Sequence, residues 1–153
     1  PKDKGCIFLS IASENFRREF AEAALILAQC GFTLYATPGT AKFYQDNHGL
    51  SMNVVTKPLQ EGDDGPGTAL HVLKKQMIDL VINVSDGATR REEITAGYLI
   101  RRAAVDFGAS LITNVKCAIK LAECLERGMH HGRFVPRHID EYYKIPTIGW
   151  TKL

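Results

Sequence analysis

The chain lacks both of the common glycine-rich phosphate signatures: there is no GxxxxGK[ST] and no GxGxxG in its 153 residues. It lacks any apolar run approaching the roughly 20 residues that cross a bilayer, and nothing resembles a signal peptide. An excess of charge of one sign is also missing. Lys plus Arg number 19 against 17 for Asp plus Glu, a formal net charge of +2, so electrostatics give no reason to expect nucleic acid as a partner. Cysteines are few, at Cys6, Cys30, Cys117 and Cys124, with no CxxC pair and no Cys/His spacing suited to zinc. They are expected to be four buried, reduced thiols, with Cys117 and Cys124 on one helix face. These absences point to a cytoplasmic protein with no membrane partner, no metal and no cofactor. There is no internal repeat and no low-complexity segment. A chain that starts at Pro1 and ends on "GWTKL" reads as a domain of something longer.

What is present is an alternation of two periodicities. "CIFLSIA" is a continuous apolar, β-rich run and reads as a buried central strand. Ser13 is placed to cap one helix over "ENFRREFAEAALILAQCG", with Phe16, Phe20, Ala24 and Leu27 at helical spacing and Gly31 at its end. "FTLYAT" reads as a strand, "TAKFYQDNHG" as a short helix closed by Gly49, and "MNVVTK" as a third strand. The polar "LQEGDDGPG" connects to a helix in "TALHVLKKQMI" and a strand in "DLVINV". After "SDGATRREE" come the helix "ITAGYLIRRAAVDFG", the strand "ASLITN" and the helix "VKCAIKLAECLERG". The expected fold class is α/β, a three-layer α/β/α arrangement around a five-stranded, mostly parallel sheet. Residues 1–127 form the domain, and 128–153 read as a tail or linker.

Ligands of such sheets bind beyond the carboxyl ends of the strands. Polar residues gather at four of those ends: Ser10 to Ser13, Thr37 to Thr40, Thr56 with Lys57, and Asn83 to Asp86, including Ser85. In "ATPGT", Gly39 has backbone freedom, and a helix is expected to begin at Thr40 or just after. Two readings stand: a turn with Thr40 as helix cap, or an anion cradle of N–H groups and two hydroxyls. Lys57 adds a point charge at the same edge, and Asn83 an amide for a sugar or carboxylate. Arg90 and Arg91 either close over an anion or stay solvated. Asp63 and Asp64 offer a general base without a histidine partner in the loop after Asn83. The histidines, His48, His71, His130, His131 and His138, pair with no Ser or Cys as a nucleophile–base couple.

The stretches "GFTLYATPGTAKFYQDN", "DLVINV" and "GYLIRRAAVDFGASLITNVKCAIKLAECL" resemble the methylglyoxal-synthase-like domain family. They are most similar to the version at the C-terminus of the carbamoyl-phosphate synthase large chain, and Arg101 and Arg102 of "YLIRRAAVDF" are the most specific part. The resemblance covers roughly residues 4–127. It implies a non-catalytic domain that binds an allosteric effector and acts on the remainder of the large chain, with homo-oligomerisation possible. It also implies that Thr37 and Thr40 hold the effector's phosphate or carboxylate, and that Asn83 contacts it. Lys57 matches a position that is lysine in bacterial nucleotide-sensing domains and tryptophan in the animal form activated by N-acetylglutamate. That form has an asparagine where this chain has Gly97. The implied ligand is therefore a phosphorylated effector, such as a uridine nucleotide or phosphoribosyl pyrophosphate, with an N-acetylglutamate-binding domain as an alternative. Phe16 falls where the bacterial pattern has a lysine, with Arg17 and Arg18 beside it. Methylglyoxal synthase itself, acting on dihydroxyacetone phosphate, is the enzymatic alternative, but its loop histidine is missing. An interaction module with a vestigial pocket is the third reading, and the Lys/His-rich segment of the purine cyclohydrolase domain is absent.

Overall fold

The computed structural model describes residues 5–85 and 91–131. The run "CIFLSI" forms β1 (Cys6–Ile11), and its alternating side chains feed two separate cores. Ile7, Leu9 and Ile11 enter one, while Phe8 enters the other. Beside β1 lie β2 (Thr33–Ala36) and β4 (Leu80–Val84), with β3 (Asn53–Val54) and β5 (Ser110–Ile112) at the edges. The order is β3-β2-β1-β4-β5, and every pairing is parallel. Parallel strands need crossover connections, which here are helices covering both faces. On one face pack α1 (Glu14–Glu19), α2 (Ala21–Gln29), α3 (Pro38–His48) and α6 (Val115–His131). The other face carries α4 (Ala69–Lys74) and α5 (Arg91–Asp106), whose Leu73, Ile100 and Ala104 meet Phe8 and Val81. The expected three layers are therefore present, with the sheet wholly parallel.

Local signals place most boundaries. The Ser13 side chain accepts from the Phe16 N–H at 3.3 Å to start α1, and Thr68 accepts from the His71 N–H at 3.2 Å to start α4. Gly49 closes α3 in the left-handed conformation, at φ 63°. Other expectations are corrected. The single helix expected from Ser13 to Gly31 is two, broken at Phe20. Phe20 is fully buried, and α1 buries no residue of its own. The bend lets Phe20, Ala24 and Leu27 meet the core while Arg17 stays beside the end of β1. α3 starts at Pro38 instead of at Thr40, with Thr37 in the cap position, because proline's fixed φ suits the first helical residue. The third strand shortens to Asn53–Val54, since the backbone leaves the edge to bridge Thr56 to Thr68.

The four thiols are not all buried. Cys30 is buried and Cys6 half-buried, but Cys117 and Cys124 are exposed. They do share a face of α6. The inward stripe of that helix is Val115, Ala118 and Ala122, so theirs is the solvent face. α6 continues to His131, past the expected start of a tail at residue 128. Residues 132–153, His138 among them, lie outside the described residues, as do the side chains of His130 and His131.

The "EGDDGPG" connector is pinned by its own polar groups. Asp63 Oδ2 accepts from the Leu59 N–H at 2.9 Å, and the Thr68 hydroxyl donates to the Gly65 carbonyl at 2.8 Å. The Asp64 carboxylate pairs with Lys74 of α4, whose hydrogen bond and charge hold it below the ordinary carboxylate range. Such a group adds stability above the unfolded carboxylate pKa and loses it as pH falls through its own lower value. In Lys74→Met the Asp64 titration, followed by carboxyl NMR, moves up toward the ordinary range and that acid-range component vanishes. In the core, Phe8→Ala is expected to cost about 3–5 kcal/mol by urea denaturation, because its site between β1 and α5 is closed on all sides.

Candidate functional site

The backbone winds outward from β1 through β2 to β3, then crosses back to lay β4 on the other side of β1. Connections therefore leave β1 and β4 in opposite directions, and a crevice opens beyond their carboxyl ends. Register sets Ser10 against Asn83 and Ile11 against Val84 at this point. The cleft there is small, with a cavity volume of about 50 Å³. Ser10, Ile11 and Ala12 of the β1 end form one wall, and Asn83, Val84 and Ser85 form another. Lys57, just past β3, and Gly97, Ile100 and Arg101 of α5 complete it.

Asn83 is 4% exposed, and both ends of its amide are used. Its Nδ2 donates to the Ser10 carbonyl at 3.5 Å, and its Oδ1 accepts from Arg101 Nη1 at 2.7 Å. The guanidinium reaches Asn83 because Gly97, one turn earlier on α5, has no side chain. A Cβ there would stand 3.0 Å from Arg101 Nη1 and 3.7 Å from Asn83 Oδ1. Arg102 leaves the helix in another direction and pairs on the surface with Asp106. Its cationic form is favoured first by Tyr98 and then by Asp106.

Thr37, Gly39, Thr40 and Arg17 do not line this cleft; they form a second cluster at its β1 wall. Both threonines are buried and hydrogen-bonded within the fold. The Thr37 hydroxyl donates to Thr40 Oγ1 at 3.1 Å, and Thr40 Oγ1 accepts from the Ile11 N–H at 3.2 Å and donates to the Ile11 carbonyl at 3.3 Å. The Thr37 hydroxyl is turned toward Thr40, and its oxygen makes no capping hydrogen bond to α3. The first-turn N–H groups of that helix are left to solvent or ligand. Arg17 Nε and Nη2 donate to the carbonyls of Ile11 and Ala12 at 2.9 and 3.1 Å. Nη2 also stands 3.3 Å from where a Gly39 Cβ would be. A cation is thus held against the positive end of a helix, an arrangement that favours an anion beside both.

Of the sequence-derived residues, Ser10, Lys57, Asn83 and Ser85 share the cleft, while Thr37, Gly39, Thr40 and Arg17 share the adjoining cluster. Ile11 and Ala12 belong to both. Arg101 is the member that reasoning from strand ends missed. Its signal was the Gly97–Arg101 spacing of one helical turn in the middle of the helix that follows β4. The aspartates fall elsewhere. Asp64 lines a separate surface depression with Lys74, Leu70 and Phe107, and its carbonyl contacts His71 Nδ1 at 3.1 Å. Asp86, Arg90 and the side chain of Arg91 lie outside the described residues. Among the described residues no group of three His, Cys, Asp or Glu is placed to hold a metal ion. No described helix is long and apolar enough to cross a membrane. With two cations, an amide and two serines, the cleft can bind an anion with a polar body, and among the described residues no nucleophile–base pair lines it.

A family model described as the MGS-like domain matches residues 19–113. The carbamoyl phosphate synthase large chain of Methanosarcina mazei is 34% identical over 140 residues, covering 92% of this chain and 12% of that relative. A protein of Methanocaldococcus jannaschii named as the C-terminal section of the same large chain is 34% identical over 127 residues, covering 81% of this chain and 19% of that one. The chain thus spans a small part of the curated relatives it matches. In structure it is similar to methylglyoxal synthase from Elizabethkingia anophelis, with a TM-score of 0.60 at 18% identity, covering 93% of this chain and 91% of the other. That likeness bears on the fold alone. The chain is a member of the MGS-like domain family.

Proposed function

We propose that this chain is a regulatory, effector-binding domain of a carbamoyl-phosphate synthase large chain. Its ligand is a phosphorylated metabolite such as a uridine nucleotide or phosphoribosyl pyrophosphate. The observation that carries the reading is the pairing of a cation-lined cleft with an uncapped helix start. Lys57 and Arg101 line the cleft, and Arg17 faces the first turn of α3 beside it. A phosphate at that turn takes the open N–H groups and the charge of Arg17. Asn83, Ser10, Ser85 and Lys57 then meet the polar remainder of the ligand. Asn83 keeps a second Nδ2 N–H for such a ligand, beside its contact with Arg101.

Regulation follows only if the parent enzyme has two states that bind the effector unequally, since a ligand of equal affinity shifts nothing. The similarity to the C-terminal sections of synthase large chains supports a role in cis to a much larger body. The lyase reading is weaker on this geometry. Asp63 is tied to the Leu59 N–H and Asp64 to Lys74, and neither lines the strand-end cleft.

Calorimetric titration with UMP, UTP, phosphoribosyl pyrophosphate and N-acetylglutamate tests this. At least one phosphorylated ligand should bind better than N-acetylglutamate, and Lys57→Ala should weaken it about tenfold, the loss of a charge-assisted contact. Unchanged binding in both Lys57→Ala and Thr40→Ala would sink the site. Methylglyoxal formation from dihydroxyacetone phosphate, abolished by Asp64→Ala, would sink the regulatory reading. A third outcome concerns Gly97→Ala. Its Cβ should drive Arg101 off Asn83, seen as loss of the slowed exchange of the Arg101 guanidinium protons in NMR.

A further inference from the structure

The final carbonyls of a helix have no partner within it. In α1, which breaks at Phe20, the carbonyl of Arg17 is in this position, and it accepts a hydrogen bond from the Tyr44 hydroxyl of α3 at 2.9 Å. Tyr44 is wholly buried, with Phe43 edge-on to its ring at 5.3 Å. Burial pushes its hydroxyl well above the ordinary tyrosine value, opposed in part by the charge of Arg17, so it stays a neutral donor. An apolar group of similar bulk would fill the same space. A hydroxyl placed there is costly unless it is used, and this one is used on the main chain of the residue whose guanidinium faces α3.

The contacts close a ring. Tyr44 holds the Arg17 carbonyl, Arg17 Nε holds the Ile11 carbonyl, and the Ile11 N–H is held by Thr40. Thr40 and Tyr44 are four residues apart, one turn of the same helix, and both are fully buried. The ring thus links the start of α3, the end of β1 and the last turn of α1, with the Arg17 guanidinium over Gly39 at its open side.

We propose that Tyr44 is a positioning residue for the anion subsite, and that its hydroxyl sets where the Arg17 guanidinium stands over the first turn of α3. The inference rests on the effector-binding reading. It predicts that Tyr44→Phe lowers the affinity for inorganic pyrophosphate, and for whichever phosphorylated ligand of the panel binds, by about fivefold, the scale of one net hydrogen bond. Arg17→Met lowers it at least as much. Because Tyr44 acts through Arg17, adding Tyr44→Phe to Arg17→Met should cost no further affinity. A hydroxyl that merely stabilised the fold would give the same fractional change in both backgrounds, or none. NMR supplies an independent readout, since the Arg17 Nε–H, protected by the Ile11 carbonyl, should exchange faster in Tyr44→Phe. Tyr44→Met, another donor-free occupant of the space, repeats each measurement should the phenylalanine variant not fold. A wild-type protein that binds neither pyrophosphate nor any phosphorylated panel ligand overturns the effector reading. A wild-type protein that binds one of them, matched by Tyr44→Phe, overturns the role of Tyr44 alone.

Discussion

The structure depends on β1 being enclosed on both faces. Its odd-numbered side chains and Phe8 belong to different cores, so helices must cover the sheet on each side and the connections must cross over. Once β2 lies on one side of β1 and β4 on the other, the crevice beyond their ends is fixed by topology before any polar residue is chosen. The functional chemistry is a substitution pattern on that frame. Along β4, Val81 faces the α4–α5 core, and two residues later the same face ends in Asn83, where the cleft begins.

Two clusters meet at the carboxyl end of β1, and they have different physical characters. The one toward β4 is a hollow whose amide and guanidinium satisfy each other across it. The one toward β2 is filled, with its hydroxyls and backbone groups bonded inside the fold. A ligand bridging both would meet the second Nδ2 N–H of Asn83 in the first and add an anion beside a prearranged cation in the second. Little reorganisation is then needed, and preorganisation of that kind raises affinity without adding contacts.

The sequence made the frame legible because its strands are continuous apolar runs and its helices carry caps and terminal glycines. "CIFLSI", "DLVINV", Ser13, Thr68 and Gly49 all act as their residue types suggest. What it concealed depends on three-dimensional direction. Phe20 keeps helical spacing with Phe16 and Ala24, so periodicity runs through the very residue where the helix bends. Cys117 and Cys124 are seven apart and share a face, but spacing alone does not say whether that face is inside. The strand-end clusters were readable because the carboxyl ends of parallel strands converge. Arg101 was not, since it enters from a helix, and only the short approach over Gly97 brings it to Asn83. Tyr44 was equally silent, because its aromatic ring satisfies the core pattern and only its hydroxyl departs from it.

Arg101 and Arg102 are consecutive, so about 100° of helical rotation separates them. The first is anchored to the cleft and the second to Asp106 on the surface of α5. α5 is therefore tied to the sheet through its inner face, while the Arg102–Asp106 pair closes within the helix itself.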